Sequence, residues 1–188
     1  RRAMNLSIAK YGDPILRGQD RRVERVDDHI RKLSTNMLET MHAANGVGLA
    51  AQQVGEALQH TVLDVLQSED RSSTLSVNGR EIELLAAMPL ILLNPKITLD
   101  DETDIGVEGC LSFPEITAEI ERSVAVNVRA ETLEGEPIEI EATGLLARAL
   151  QHEVDHLNGI LFIDRMSSVA KASLHSRLKR LRKETVEW

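Results

Sequence analysis

At 188 residues, with 42% hydrophobic and 28% charged side chains, the chain is long enough to bury a core of its own, and one domain over residues 1–188 is expected. Its formal charge of -8 argues against general affinity for DNA, other nucleic acid or an anionic membrane surface, since most of the protein would repel a polyanion. No run of about 18 apolar residues marks a membrane span, and an aromatic share of 2% calls for an aliphatic core.

The start, Arg1-Arg2-Ala3-Met4, has no apolar stretch of signal-peptide type behind it, so a cytoplasmic protein is expected. The residues before Met4 are also compatible with the end of a removed transit segment, which keeps an organelle stroma or matrix open. From Asp27 to Asn45, Ile30, Leu33, Met37, Leu38 and Met41 recur at helical spacing, after the capping pair Asp27-Asp28 and before Gly46. Gly46 to Gln53 follows, reading Gly-Val-Gly-Leu-Ala-Ala-Gln-Gln. Its glycines and alanines suit a tight turn or close packing. Gln52 and Gln53 both carry an amide able to donate to an oxyanion, and spacing does not choose between them.

His60 to Leu66 and Leu90 to Leu93 read as short strands, and Ser76 to Glu81 carries the Asn-Gly signal of a hairpin. Val124 to Arg129 and Ile138 to Ile140 alternate about a Glu134-Gly135-Glu136-Pro137 turn, which predicts an antiparallel pair. Gly144 to Asn158 returns to helical period and stops at Gly159. A last helix, about Ser167 to Glu184, carries Lys171, Arg177, Lys179, Arg180, Arg182 and Lys183. Such a basic face is ordinarily a solvated one.

Within the helix before Gly159 stands His152-Glu153-Val154-Asp155-His156. Histidines at i and i+4 lie about 40° apart around a helix and can close on one metal ion. Glu153 can then handle the protons of a water that the metal acidifies. Gln151 and Asp155 fall away from this face and are expected either in solvent or behind the ligands.

A catalytic site needs a third ligand. Phe162 occupies the place of the last histidine in His-Glu-x-x-His-x-x-Gly-x-x-His proteases, while Glu184 and Glu187 are the downstream carboxylates a thermolysin-like zinc endopeptidase would need. Cys110, the single cysteine, is a better candidate: Gly109 before it lets backbone approach closely, and sulfur with two imidazoles completes a three-ligand set. A small buried hydrophobe is the other reading of this cysteine.

With Gly46 to Gln53, Glu108 to Ser112 and His152 to His156 in this order, the chain resembles the peptide deformylases. The likeness also takes in Tyr11 to Arg17, Asn94-Pro95 and Gly159 to Arg165, and so nearly the whole chain. It implies an α+β fold, antiparallel β-sheets packed around a central metal-binding helix, with an N-terminal and a C-terminal helix. It also implies removal of the formyl group from N-formylmethionyl nascent polypeptides, releasing formate. Cys110, His152 and His156 would hold one divalent metal, iron in cells with zinc, nickel or cobalt as alternatives. Glu153 would be the general base and later the acid, with Gln53 and the Leu111 N–H stabilising the oxyanion.

The resemblance further implies that Val47 and Gly48 line the peptide cleft. Leu145 and Arg148 would lie near the methionine pocket, and Glu108 and Arg122 would form an ion pair that steadies the cysteine segment. Gln52 stands where the family often has proline or threonine, and Thr117 where some members carry an arginine; neither is expected to touch the metal chemistry. Because the substrate leaves the ribosome, Lys179, Arg180, Arg182 and Lys183 could contact ribosomal RNA. A zinc endopeptidase on the same helix, or a non-catalytic binding member of the fold, are the rival readings.

Overall fold

The computed structural model describes residues 3–187, so Arg1 and Arg2, with the transit-segment reading attached to them, lie outside it. The chain opens with a short 3-10 turn at Pro14–Arg17 and then helix α1, Asp28–Ala43. Asp27 caps this helix by accepting from the Ile30 N–H. Asn45, at φ 57°, supplies the left-handed stop that the sequence suggested for Gly46.

Strands β1 (Gly48–Ala50), β2 (His60–Leu63), β3 (Leu75–Val77) and β4 (Arg80–Glu81) follow. After a single-turn helix α2 (Leu84–Ala87) come β5 (Leu90–Leu99), β6 (Thr103–Cys110), β7 (Phe113–Ser123), β8 (Ala125–Glu131) and β9 (Pro137–Thr143). Helix α3 spans Gly144–Leu157, and α4 (Ser168–Ser173) and α5 (His175–Val186) close the chain. Seven strands form one sheet in the order β1-β2-β5-β8-β9-β3-β4, every neighbour antiparallel, while β6 and β7 pair as a separate hairpin.

Several expected elements take these places. Asn78 and Gly79, both at positive φ, turn β3 into β4. The pair around Gly135 is β8 and β9. The expected strand at Leu90 to Leu93 runs on to Leu99, because a bulge between Leu93 and Lys96 absorbs Pro95, which has no N–H to give a ladder. The expected strand from His60 is shorter: it ends at Leu63, and Val65–Gln67 is a 3-10 turn capped by Asp64. The last helix is two segments meeting at Leu174. The bend brings Leu174, Leu178 and Leu181 together onto the cluster containing Phe113 and Phe162.

α3 lies between the two sheets. Leu146, Ala147 and Leu150 are fully buried against Leu63, Leu92, Val128 and Ile140 of the large sheet. A second core, with Leu33, Met37, Met41, Leu49 and Val62, holds α1 on the same sheet. Both are aliphatic apart from methionine, as the composition requires. Among the described residues the aromatics instead collect beside α3: Phe113 stacks on Tyr11 at 4.9 Å and meets Phe162 edge-on at 5.0 Å. No helix among the described residues is long and apolar enough to cross a membrane.

Candidate active site

α3 presents His152 and Glu153 to a cleft of about 550 Å³, whose walls include Val47, Gly48, Leu145 and Arg148, and carries the buried His156 one turn further on. Cys110 reaches the same point from the end of β6. The donor atoms of Cys110, His152 and His156 all lie within 4.8 Å of one another, and the sulfur is 3.4 Å from His156 Nε2. Glu184 on α5 and Glu187 just after it are exposed and join no such cluster, and Phe162 is buried against His152. Neither protease-type third ligand is assembled.

Each histidine has its second nitrogen engaged. His152 Nδ1 is 2.9 Å from Glu108 Oε1, and Glu108 in turn accepts from Arg122 at 2.8 and 3.0 Å. Burial pushes the Glu108 carboxyl up, but the hydrogen bonds from His152 and Arg122 outweigh it and hold it down at about 2. A carboxylate so firmly ionised can only accept, so His152 carries a hydrogen on Nδ1 and turns its Nε2 to the cleft.

Burial lowers His152 as it would any imidazole, yet the bonds to Cys110 and Glu108 raise it well above the usual histidine value. His156 goes the other way, depressed by burial and then by the charge of His152. Such a cluster favours one cation among its donors.

Glu153 is 4% exposed, and its Oε1 has no hydrogen-bond partner among the described residues. Desolvation lifts its carboxyl to about 7, where it can both take and return a proton near neutrality. Oε2 lies against Gly48: a Cβ built there would stand 2.5 Å from it, so the glycine is required for close approach rather than for a turn. An orphaned carboxylate oxygen beside one sulfur and two outward imidazole nitrogens fits a divalent ion with a bound water.

Of the two glutamines, Gln53 faces the cleft. Its Oε1 accepts from the Ala50 N–H at 2.9 Å, and its Nε2 points to Ser112 Oγ at 3.0 Å and Cys110 Sγ at 3.7 Å. Leu111, whose carbonyl accepts from Lys10 Nζ at 3.4 Å, lines the same cleft between the two residues that Gln53 touches. An amide and a backbone N–H are thus available to a developing oxyanion.

Arg148 borders the cleft, but its guanidinium is engaged by Glu108 at 2.9 Å, the Ile120 carbonyl at 2.7 Å and Asp104 at 2.8 Å. Its role is therefore as much in the ion-pair network as in the pocket. Asp155 stands behind the ligands, joined to Arg122 at 2.7 Å and Arg165 at 3.0 Å. Gln151 is not in solvent: it is 5% exposed and bonds both backbone groups of Ser123. The β6–β7 hairpin covers the side of α3 that a helical wheel leaves bare.

One expectation is overturned. Gln52 does touch the ligand set, since its Oε1 lies 3.1 Å from His156 Nδ1. Thr117 lines the cleft without reaching the donors. Asp20, Ser112 and Lys10 escaped sequence reasoning. Ser112 at least stands in the cysteine segment, whereas nothing around Asp20 signals it.

The family model for polypeptide deformylases matches residues 5–172. A peptide deformylase of Opitutus terrae is 44% identical over 184 residues, covering 97% of this chain and 95% of that protein. One from Bartonella quintana is 46% identical over 173 residues, 92% and 90% of the two. The crystal structure of a plant peptide deformylase superposes with a TM-score of 0.85 at 34% identity, covering all of this chain and 94% of that one.

Proposed function

The chain belongs to the polypeptide deformylase family, and from that membership we infer how its own residues remove the formyl group from nascent formylated peptides. The observation that carries the reading is the convergence of Cys110, His152 and His156 beside the unpartnered Glu153 Oε1. Cys110 Sγ and the two Nε2 atoms would hold the divalent metal, which when bound supplies an acidified water and a Lewis-acid contact for the formyl oxygen.

The remaining work falls to side chains. As water adds to the formyl carbon, Glu153 takes its proton, and the new negative charge on oxygen is met by Gln53 Nε2 and the Leu111 N–H. Glu153 then returns the proton to the departing nitrogen, and the C–N bond breaks to give formate and a free amine. Val47 and Gly48 would line the bound peptide, Leu145 and Arg148 would border the methionine side chain, and Glu108 with Arg122 would hold His152 in place. One domain would carry all of these groups.

Iron in cells is proposed, with zinc, nickel and cobalt as substitutes, because one thiolate and two imidazoles accept each of them. A cytoplasmic site of action follows from the substrate, which appears where chains are translated; an organelle with its own translation would serve as well. Lys179, Arg180, Arg182 and Lys183 are exposed on α5 and are proposed as a transient ribosome contact.

The test is formate release from formyl-Met-Ala-Ser by anaerobically prepared protein. Turnover that depends on metal and on Glu153 is expected, while intact casein under the same conditions sets the endopeptidase aside. Absence of turnover with metal fully loaded would leave a binding protein instead.

A further inference from the structure

We infer that Gln52 is a positioning residue for His156, and that Asp20 and the Ile15 carbonyl decide which end of its amide faces the ligand. This rests on the metal-centre reading above. Gln52 is completely buried in the 3-10 turn Ala51–Val54. Its Nε2 lies 3.3 and 3.5 Å from the two carboxylate oxygens of Asp20 and 3.4 Å from the Ile15 carbonyl.

Acceptors on that side admit only the NH₂ end of the amide. The Ile15 carbonyl cannot donate in any protonation state, so the orientation does not depend on how Asp20 titrates. The amide oxygen is therefore the atom that faces His156 Nδ1 at 3.1 Å, and an amide oxygen only accepts. His156 must carry its hydrogen on Nδ1. In a neutral imidazole that leaves the lone pair on Nε2, the atom 3.4 Å from Cys110 Sγ.

The two ligand histidines are thus set by different devices. Glu108 orients His152 with a full negative charge, whereas Gln52 orients His156 with none. A second carboxylate there would add to the charge already present on Glu108 and, when the metal is bound, on the Cys110 thiolate. Adjacent glutamines also divide the labour of one turn, Gln53 turning its amide nitrogen to the cleft and Gln52 its amide oxygen to the ligand.

Two variants of the full chain test this: Gln52→Met, which keeps length but removes the acceptor, and the double exchange Asp20→Asn with Gln52→Glu, which restores an acceptor against Nδ1 and a donor against the acid. The readouts are the ¹⁵N shifts of His156 in metal-free protein and the cobalt affinity by chelator competition. Wild type is expected to hold His156 as the Nδ1–H form. Gln52→Met should release it to a mixture and weaken cobalt binding about 10- to 100-fold, and the double exchange should recover both.

Wild-type tautomer and affinity in Gln52→Met would overturn the assignment; if that variant does not fold, failure of the double exchange to keep the Nδ1–H form does so. Failure of wild-type protein to bind cobalt at all would strike the metal centre itself, and the tautomer of the metal-free protein would still decide the role of Gln52.

Discussion

Gly48 and Glu153 are packed so closely that the missing Cβ of the glycine is what lets the carboxylate stand where it does; an added methyl would lie 2.5 Å from Glu153 Oε2. The strand that borders the cleft and the helix that carries the base are therefore set against each other at one atom.

Gly48→Ala separates packing from chemistry. The displaced atom is the far end of a flexible side chain, so the thermal midpoint should move little. A base displaced by about 1 Å can cost about 10²-fold in rate, and kcat for formate release should fall by that order. Wild-type kcat in this variant would show that Glu153 tolerates displacement.

Gln53→Ala should lower kcat about 10²- to 10³-fold, the usual cost of one oxyanion donor. Glu153→Ala should be more severe while metal content stays at the wild-type level. Near-normal deformylation by Glu153→Ala would remove that residue from the mechanism.

Glu108→Ala should be the most destabilising change at the site. It strips Arg122, whose side chain is 4% exposed, of its two-point partner and leaves it only Asp155, and breaking a buried ion pair by removing one partner costs about 3–5 kcal/mol. Urea unfolding of the metal-free protein measures this without counting lost metal. Adding Arg122→Met should recover part of the loss, and no recovery would mean that Glu108 acts through His152 alone.

Asp20 makes stability depend on pH in a stated direction. Burial raises its carboxyl from 3.8 to about 7, against a weaker opposing hydrogen bond from Gln52. The folded form then holds a proton that the unfolded form has released, so stability falls as pH rises from about 4 to about 7 and levels off above. Halved for solvent at the edge of the site, the shift is worth on the order of 2 kcal/mol. Asp20→Asn should remove this dependence, and parallel stability curves for the two proteins between pH 4 and 8 would refute it.

Chelation should abolish formate release, and nickel or cobalt should restore it. If iron is the resident metal, aerobic handling should erase activity that anaerobic handling keeps, with oxidation of Cys110 visible by mass spectrometry. Equal activity after both treatments would favour zinc.

How far these features could be read beforehand depended on what each residue answers to. α1 and α3 answer to period and capping, and His152, Glu153 and His156 answer to helical spacing, so they were legible. The β6–β7 hairpin was not, because its alternation is inverted: Ile105 and Val107 sit 65% and 68% exposed on its outer face while Glu108 is buried, so the apolar residues do not mark the core side. The same hairpin buries Gln151, which a helical wheel can place by angle but not by neighbour. Gln52 failed for a related reason: the partner that gives it meaning, His156, is 104 residues away.

Cys110 ends strand β6 and His156 lies on a helix 46 residues later, so a cation bound by both would act as a removable cross-link between two layers of the fold. Like a disulfide, it would close a long loop and restrict the unfolded chain; unlike one, it could be withdrawn without breaking a covalent bond. Nor could the link form during synthesis until α3 had left the ribosome. An enzyme that trims new proteins would thus become active only after its own chain had been made through α3.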